Sequence, residues 1–453
     1  MCRKLMILGA VVLVQGFACG SVWAWDWDVQ IVDGEESGSE TGTFSNIVVD
    51  SLDRPRISYY DGGDNCLRFA AWNGTSWQRE TVDPGGPGDE YAQGRFNCMV
   101  IDSQDRCHIS YRDRRYFRLK YVVQDGAGGW EPVQVVDDPG PIPDPDGKGK
   151  VGVGRFTSID LDSNEYPHIS YTDLNNGYVK YAKWNGFSWD IEVVYDGGAY
   201  RAIQGTCIQI DSHDWPHIAF VDSTSAERFK CARWNGSSWD FQTIDPSNGS
   251  DHPTIMAIDS NDDLHVICGN RYFRSNGSVW TKEIIPGLVG GGTSIELDRY
   301  EYPHIAITQN NNMWYAYYDG TTWISQPVDT SPEAGEERCL ALDSRGFPHL
   351  SYWAQKFYDE NQLRYATVVG PECWDYGTQC HGDYDNTHSV KGSDFLALKD
   401  SWYKCYPKPG YDLCADFDRD GCVKGSDFLI LKTNWYQTVP ADCQSGGTWP
   451  PEP

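Results

Sequence analysis

Two stretches near the C-terminus have the residue types and spacing of a divalent-cation loop. Residues 383–394 read DYDNTHSVKGSD and residues 416–427 read DFDRDGCVKGSD. Calcium takes six or more oxygens from a compact loop, offered at positions 1, 3, 5, 7 (through the backbone) and 12. The second loop supplies Asp416, Asp418, Asp420, the Cys422 carbonyl and Asp427, with Gly421 for the sharp turn. The first supplies Asp383, Asp385, Thr387, the Ser389 carbonyl and Asp394. There Thr387 is neutral where an acid is usual and His388 replaces the turn glycine, so the first loop should bind more weakly. The expected cofactor is Ca2+ at two sites, the second tighter. A solvated acidic turn is the plain alternative, and two copies at one register weigh against it.

A second set of candidates lies in the body of the chain. Five places after a recurring His or Arg come Asp61, Asp113, Asp173 and Asp222, replaced in later copies by Asn270, Gln309 and Ala354. Near them fall Arg95, Arg155, Arg201 and Arg338, with Arg114 and Arg115 in a neighbouring loop. Paired carboxylates can act as acid and base on a glycosidic bond, and guanidinium groups can hold an acidic sugar. Strand-end turn aspartates and solvated arginines are the simpler reading. Tyr91, Tyr116, Tyr200, Trp353 and Tyr358 are candidates for stacking on sugar rings. The recurring His108, His168, His217, His265, His304 and His349 are too widely distributed to share one centre. They are expected to be buried imidazoles hydrogen-bonded to turn backbone.

The elements that must position these residues are seven copies of one unit. Its second run reads PRISY, CHISY, PHISY, PHIAF, LHVIC, PHIAI and PHLSY, each preceded at a fixed distance by an Asp: Asp50, Asp102, Asp162, Asp211, Asp259, Asp298 and Asp343. Successive copies are 39 to 60 residues apart, with the variation confined to the intervals between runs. Each unit has four β-type runs: a β-branched inner run, the run above, a third ending mostly in Asn-Gly or Asp-Gly, and a fourth opening on Trp. A period of this length with four strands predicts an all-β, seven-bladed β-propeller over residues 25–369. The seventh copy lacks its fourth run. Trp27 to Asp33, WDVQIVD, has the matching spacing and is expected to complete that blade, closing the ring. The short, stereotyped links then share one face. The variable links, including the long Asp137–Gly154 excursion, share the other, where function is expected.

Composition narrows the classes. The chain has 453 residues and a net charge of −28, which repels nucleic acid and anionic lipid. Arg3 and Lys4, the apolar run from Leu5 to Phe17 and Val22-Trp23-Ala24 have the form of a signal peptide over residues 1–24. Secretion to the extracellular space is therefore expected, and no later stretch has the apolar length of a membrane span. Of the 15 cysteines, Cys2 and Cys19 fall in that leader, leaving 13. Six of these, Cys373, Cys380, Cys405, Cys414, Cys422 and Cys443, crowd the C-terminal region and are expected to form disulfides, with connectivity open. Cys98, Cys207 and Cys339 occupy one equivalent inner-strand position and read as apolar residues rather than bridges.

Each cation loop runs into a helix-type pattern. FLALKDSWY and FLILKTNWY place Phe395, Leu398 and Trp402, and Phe428, Leu431 and Trp435, on one face. Lys391–Tyr403 matches Lys424–Tyr436 at ten of thirteen positions. This small α domain, residues 370–437 with a tail at 438–453, resembles a type I dockerin. The resemblance implies a cohesin-type scaffold partner, calcium-dependent docking and a place in bacterial polysaccharide-processing complexes, possible also at a cell surface through that partner. It implies partner-reading positions at Gly392, Ser393, Lys399, Gly425, Ser426 and Lys432. The ring repeats resemble bacterial propellers grouped with the sialidase-like superfamily. AAWNGTSW at Ala70 approaches that family's Asp-box, with Trp72 where the Asp belongs, and no sialidase catalytic set carries over. The function expected is glycan or protein binding through the variable face. The ligand-binding candidates are Arg95, Asp113, Arg115, Arg155, Asp173, Asp222, Arg338 and Trp353. The alternative is a glycoside hydrolase or polysaccharide lyase using acids and arginines on that face.

Overall fold

Each repeat folds into one four-stranded antiparallel sheet, and there are seven sheets. The computed structural model describes residues 25–34, 41–85, 93–140, 152–198, 203–223, 229–245, 255–277, 279–288, 291–331, 334–357 and 360–368, together with Phe428. The cation loops, their helices and the C-terminal cysteines lie outside the described residues. So does the proposed signal peptide. Phe428 alone is described there, as a helical residue.

The inner strands are Thr41–Val49, Gln93–Ile101, Arg155–Leu161, Ile203–Ile210, Ile255–Ile258, Gly291–Leu297 and Ala334–Leu342. Each packs beside the inner strands of the two neighbouring sheets, and the first packs beside the last, so the seven blades form a closed ring. Closure is made as expected. Trp27–Asp33 pairs antiparallel with Glu360–Val368, with Trp27 opposite Val368 and Asp33 opposite Leu363. Trp25 reinforces it by stacking on Tyr317, ring centres 5.1 Å apart, while its backbone N–H donates to Gln326 at 2.9 Å.

Repeated seams explain why the pattern recurs. The fourth-strand Trp lays its ring against an aromatic residue of the preceding blade: Trp77 on Tyr365, Trp130 on Phe69, Trp189 on Tyr121 and Trp323 on Tyr272, all 5.1–5.3 Å between centres. The indole N–H of Trp77, Trp130, Trp189, Trp239, Trp280 and Trp323 donates to a Gln or Glu on the preceding blade's outer strand. For Trp77 that acceptor is Gln30 of the closing strand. Apolar clusters fill the same seams. The one at the closure joins Val32, Ile47, Ile57, Ala341 and Leu363, all buried, the Val, Ile and Leu side chains each contributing about 1.5–3 kcal/mol. Only Gly fits where the strand enters from the variable face. A Cβ on Gly94, at φ 94°, would lie 2.8 Å from Leu67 Cα of the blade before.

Candidate functional site

The two faces of the ring use their polar residues differently. On the face of short links, the turn Asp accepts from its own loop: Asp162 Oδ1 takes the N–H of Asn164 at 3.0 Å and of Tyr166 at 2.9 Å. Its Oδ2 faces His168 Nε2 at 3.3 Å, and the Tyr181 hydroxyl meets His168 Nδ1 at 2.7 Å. The Asp–His–Tyr chain recurs through His108 and His265. The histidines are thus structural, as expected, but their partners are the turn carboxylate and a third-strand tyrosine rather than turn backbone. Burial, with Lys183 nearby, pulls the His168 imidazole down to about 4, so it is a neutral bridge. In blade one Arg56 replaces the imidazole and pairs with Asp50 at 2.9 Å.

A belt runs around this face. In six of the seven blades a Ser follows the turn Asp and donates both its N–H and its hydroxyl to an acid in the next blade's turn: Ser51 to Asp105, Ser103 to Glu165, Ser163 to Asp214, Ser212 to Asp262, and Ser260 to Glu301; after Asp298 stands Arg299, whose guanidinium donates to the Ser344 carbonyl at 3.3 Å. Ser344 closes it on Asp53, at 2.8 Å through each donor. The acids sit in the left-handed region, Asp53 at φ 58° and Asp105 at φ 61°. Among the described residues, the groupings of His, Asp and Cys compact enough for a metal are Asp211–His213–Asp262, inside this belt, and Asp61–Asp64–Cys66.

On the variable face, the candidate aspartates are largely committed. Asp61 Oδ1 accepts from Gly63 N–H at 2.9 Å and its Oδ2 pairs with Arg68 at 3.0 Å. Asp113 Oδ1 accepts from Gln93 at 3.0 Å and from the Arg115 and Tyr116 N–H groups at 2.8 and 3.2 Å. Asp173 caps its turn through Asn175 and Asn176, and Asp222 accepts the Tyr195 hydroxyl at 2.7 Å. All four are buried. They stand on four different blades as strand-end caps, not as a facing acid pair.

The arginines form a different picture. Arg95 and Arg112 stand opposite each other on adjacent strands of blade two. The Arg95 guanidinium lies 5.2 Å from the Tyr60 ring centre and 5.8 Å from that of Phe44. Arg155, from blade three, lies 4.8 Å from Phe96 and 5.2 Å from Phe156. The three phenylalanines form an aromatic row across three blades, Phe44 and Phe96 tilted with centres 4.5 Å apart and Phe96 and Phe156 edge to face at 5.1 Å. Each sits at φ between 52° and 54°, beside a shift in strand register. A left-handed conformation is costly for an aromatic residue, and such strain collects at binding sites. Arg112 is only 5% exposed. Burial, followed by repulsion from Arg155, Arg114 and Arg95, pulls its guanidinium down to about 9.

Behind the phenylalanines an axial cavity of about 820 Å³ is lined by residues of all seven inner strands. Its wall carries Cys98, Cys207 and Cys339, whose thiols burial pushes up to about 11. All seven described cysteines are free. The wall also carries two acids. The surrounding strands desolvate both carboxyls: half-buried Asp160 is pushed up to about 6, and Glu296, with the Asp160 charge added, up to about 8, although its side chain is exposed to the lumen. Both line a lumen that is partly open to solvent.

Of the sequence candidates, Arg95 and Arg155 come together around Arg112, whereas the Arg115 guanidinium lies 5.1 Å from the Tyr116 ring, which Arg118 also approaches at 4.6 Å. Trp353 is half-buried on blade seven, paired in register with Leu363. Arg338 stands one residue before Cys339, in the register of Asn97 and Thr157 rather than of Arg95; its side chain, with Tyr91, Tyr200, Arg201 and Tyr358, lies outside the described residues. Two functional features escaped the sequence reading. Arg112 was legible as the cation of CHISYRD at a position where other copies carry Tyr60, Thr172, Val221, Thr308 or Trp353. The Phe row was legible as GTF, GRF and GRF at residues 42–44, 94–96 and 154–156.

The fold and site define a seven-bladed β-propeller with a cationic, aromatic cluster where blades one to three enter the axis. No protein-family profile and no curated protein matches the chain. Among solved structures, it is similar to an inactive virginiamycin B lyase from Staphylococcus aureus crystallised with quinupristin, at 14% identity and TM-score 0.49, covering 76% of this chain and 100% of that one. AofleA from Arthrobotrys oligospora matches at 13% identity and TM-score 0.45, over 68% of this chain and 91% of that one. Trypanosoma rangeli sialidase matches at 9% identity and TM-score 0.46, over 77% of this chain and 58% of that one. The ring is assigned here from its own strand pairing. No helix among the described residues is long and apolar enough to cross a membrane.

Proposed function

We propose that the protein is an exported binding protein whose propeller recognises a glycan through the variable face. The supporting observation is the gathering of guanidinium groups and aromatic rings in one sector of that face, where the repeat departs from its own pattern. Rings flanked by oriented polar donors suit a saccharide, which offers both apolar C–H faces and hydroxyl acceptors. Binding is favoured over hydrolysis because Asp61, Asp113, Asp173 and Asp222 are engaged as caps, whereas a glycosidase needs two carboxyls facing one bond. A glycan array followed by a product assay on each hit tests this. Binding without turnover is expected; cleavage would establish the hydrolase or lyase alternative, and an empty array would remove the reading.

For residues 370–437 we infer a calcium-loaded, dockerin-like module that docks the propeller onto a cohesin-type scaffold. The support is the duplicated ligand spacing and the repeated Lys–Gly–Ser segment. Folding there should couple to metal, because the loops have little else to order them. Calorimetry with Ca2+ is expected to resolve two sites of unequal affinity, the tighter at Asp416–Asp427. No uptake would remove the module from the account.

A further inference from the structure

The cations near the axis converge on one place from two blades. Arg95 and Arg112 are cross-strand neighbours, and Arg155 lies against the ring of Phe96, the residue that follows Arg95. A cation as deeply buried as Arg112, facing Arg95, Arg114 and Arg155, is held against both desolvation and like charge. Asp113, the adjacent acid, offsets part of this while it also serves Gln93, its own turn and Lys120 at 3.6 Å. The buried Nε of Arg95 has no hydrogen-bond partner. The arrangement is local. Where blades two and three have Arg-Phe, blade four has Gln204-Gly205, blade six Gly291-Gly292 and blade seven Glu336-Glu337.

Resting on the glycan-binding reading above, we infer that Arg95, Arg112 and Arg155 form a clamp for the carboxylate or sulfate of an acidic sugar, with the sugar ring lying over the Phe44–Phe96–Phe156 row. Guanidinium groups suit these anions because each offers several N–H donors in one plane, matching a planar carboxylate two at a time. The acidic surface does not forbid this. With a net charge of −28 the protein repels a long polyanion, but screening at physiological salt confines each charge to about 8 Å. One or two anionic units at the mouth therefore feel the arginines more than the rest of the surface. The site selects a terminal or isolated acidic sugar over a continuous polyanion.

The test uses the full chain on an array of uronate-bearing, sulfated and matched neutral glycans, followed by titration calorimetry on the best hit and its neutral counterpart. The acidic form is expected to bind roughly ten- to a hundred-fold more tightly, with the uronate and sulfate arms identifying the source of the anion. Arg155→Met and Arg95→Met should each erase about tenfold or more of that preference, read on partly exposed positions that tolerate replacement. Arg112→Met is the third variant, and folding of each is checked by circular dichroism. Equal affinity for acidic and neutral glycans, or a preference unchanged in the Arg155 and Arg95 variants, overturns the clamp and leaves glycan binding standing. Absence of binding to any glycan overturns both.

Discussion

The two faces of the ring are built from the same repeat, and they treat charge in opposite ways. On the face of short links nearly every acid has partners of its own. Asp162 serves two turn N–H groups and an imidazole, and the Ser–acid belt carries that order from blade to blade until Ser344 meets Asp53. On the variable face of blades one to three, cations gather on strained aromatic residues instead, and one is buried among the others. Repetition with satisfied partners marks what holds the ring. Departure from the repeat with cations gathered on aromatic rings marks the sector proposed to meet a ligand.

The largest effect that separates the faces should come from the turn acids. Asp162→Ala strips acceptors from two loop N–H groups and leaves a buried imidazole without its carboxylate, and is expected to cost about 3 kcal/mol in urea unfolding. Glycan affinity should not change. On the other face Arg155→Met should do the reverse, altering stability by less than about 1 kcal/mol while binding falls. Should Asp162→Ala leave the unfolding midpoint in place, the division of labour between the faces would be wrong.

The titrating groups sharpen the contrast in the middle of the range. Unfolded, the His168 imidazole takes up its proton near 6.5; folded, it does so only near 4. The unfolded chain therefore binds the extra proton between these values, and stability falls as the pH drops through that window. Glu296 acts in the other direction. Its ordinary 4.5 rises to about 8 in the folded ring, so the folded chain holds the extra proton between them. Stability then declines as the pH rises from about 4.5 to about 8, and that loss is complete above the upper value. Glu296→Gln should flatten the decline in thermal unfolding between about pH 6.5 and 8, above the window in which His168 titrates. An identical profile would mean that the lumen does not hold this carboxyl protonated.

The smallest effect belongs to one stitch of the belt. Ser344→Ala removes one exposed hydroxyl bond at the closure and keeps the backbone donor, so a loss of about 0.5–1 kcal/mol is expected. A drop of several kcal/mol would mean that the ring is held at its ends chiefly by this stitch, not by the Trp27–Asp33 strand.

Much of this architecture was legible because it repeats. Six copies of the Asp-to-His spacing and one of Asp to Arg56 placed the turns, and the unmatched WDVQIVD segment predicted the strand that closes on Leu363–Val368. The site was legible only in part, for the opposite reason. Asp113 and Asp173 recur at strand ends as candidate acids, but their position in the repeat does not reveal that the carboxylates are used by their own turns. Arg112 was hidden because a residue in a buried strand is read as core, and only the ring brings Arg155 of the next blade near it. The Phe44, Phe96 and Phe156 conformations depend on local register shifts that the hydrophobic pattern does not encode.

Hydrogen exchange on the full chain, with and without the tightest acidic glycan, tests the central claim most directly. The ligand should slow exchange at residues 94–97, 112–117 and 154–157 and leave the turns at 50–54, 102–106 and 162–166 unchanged. Protection of those turns, or an even change around all seven blades, would contradict the assignment of recognition to the cationic sector of the variable face.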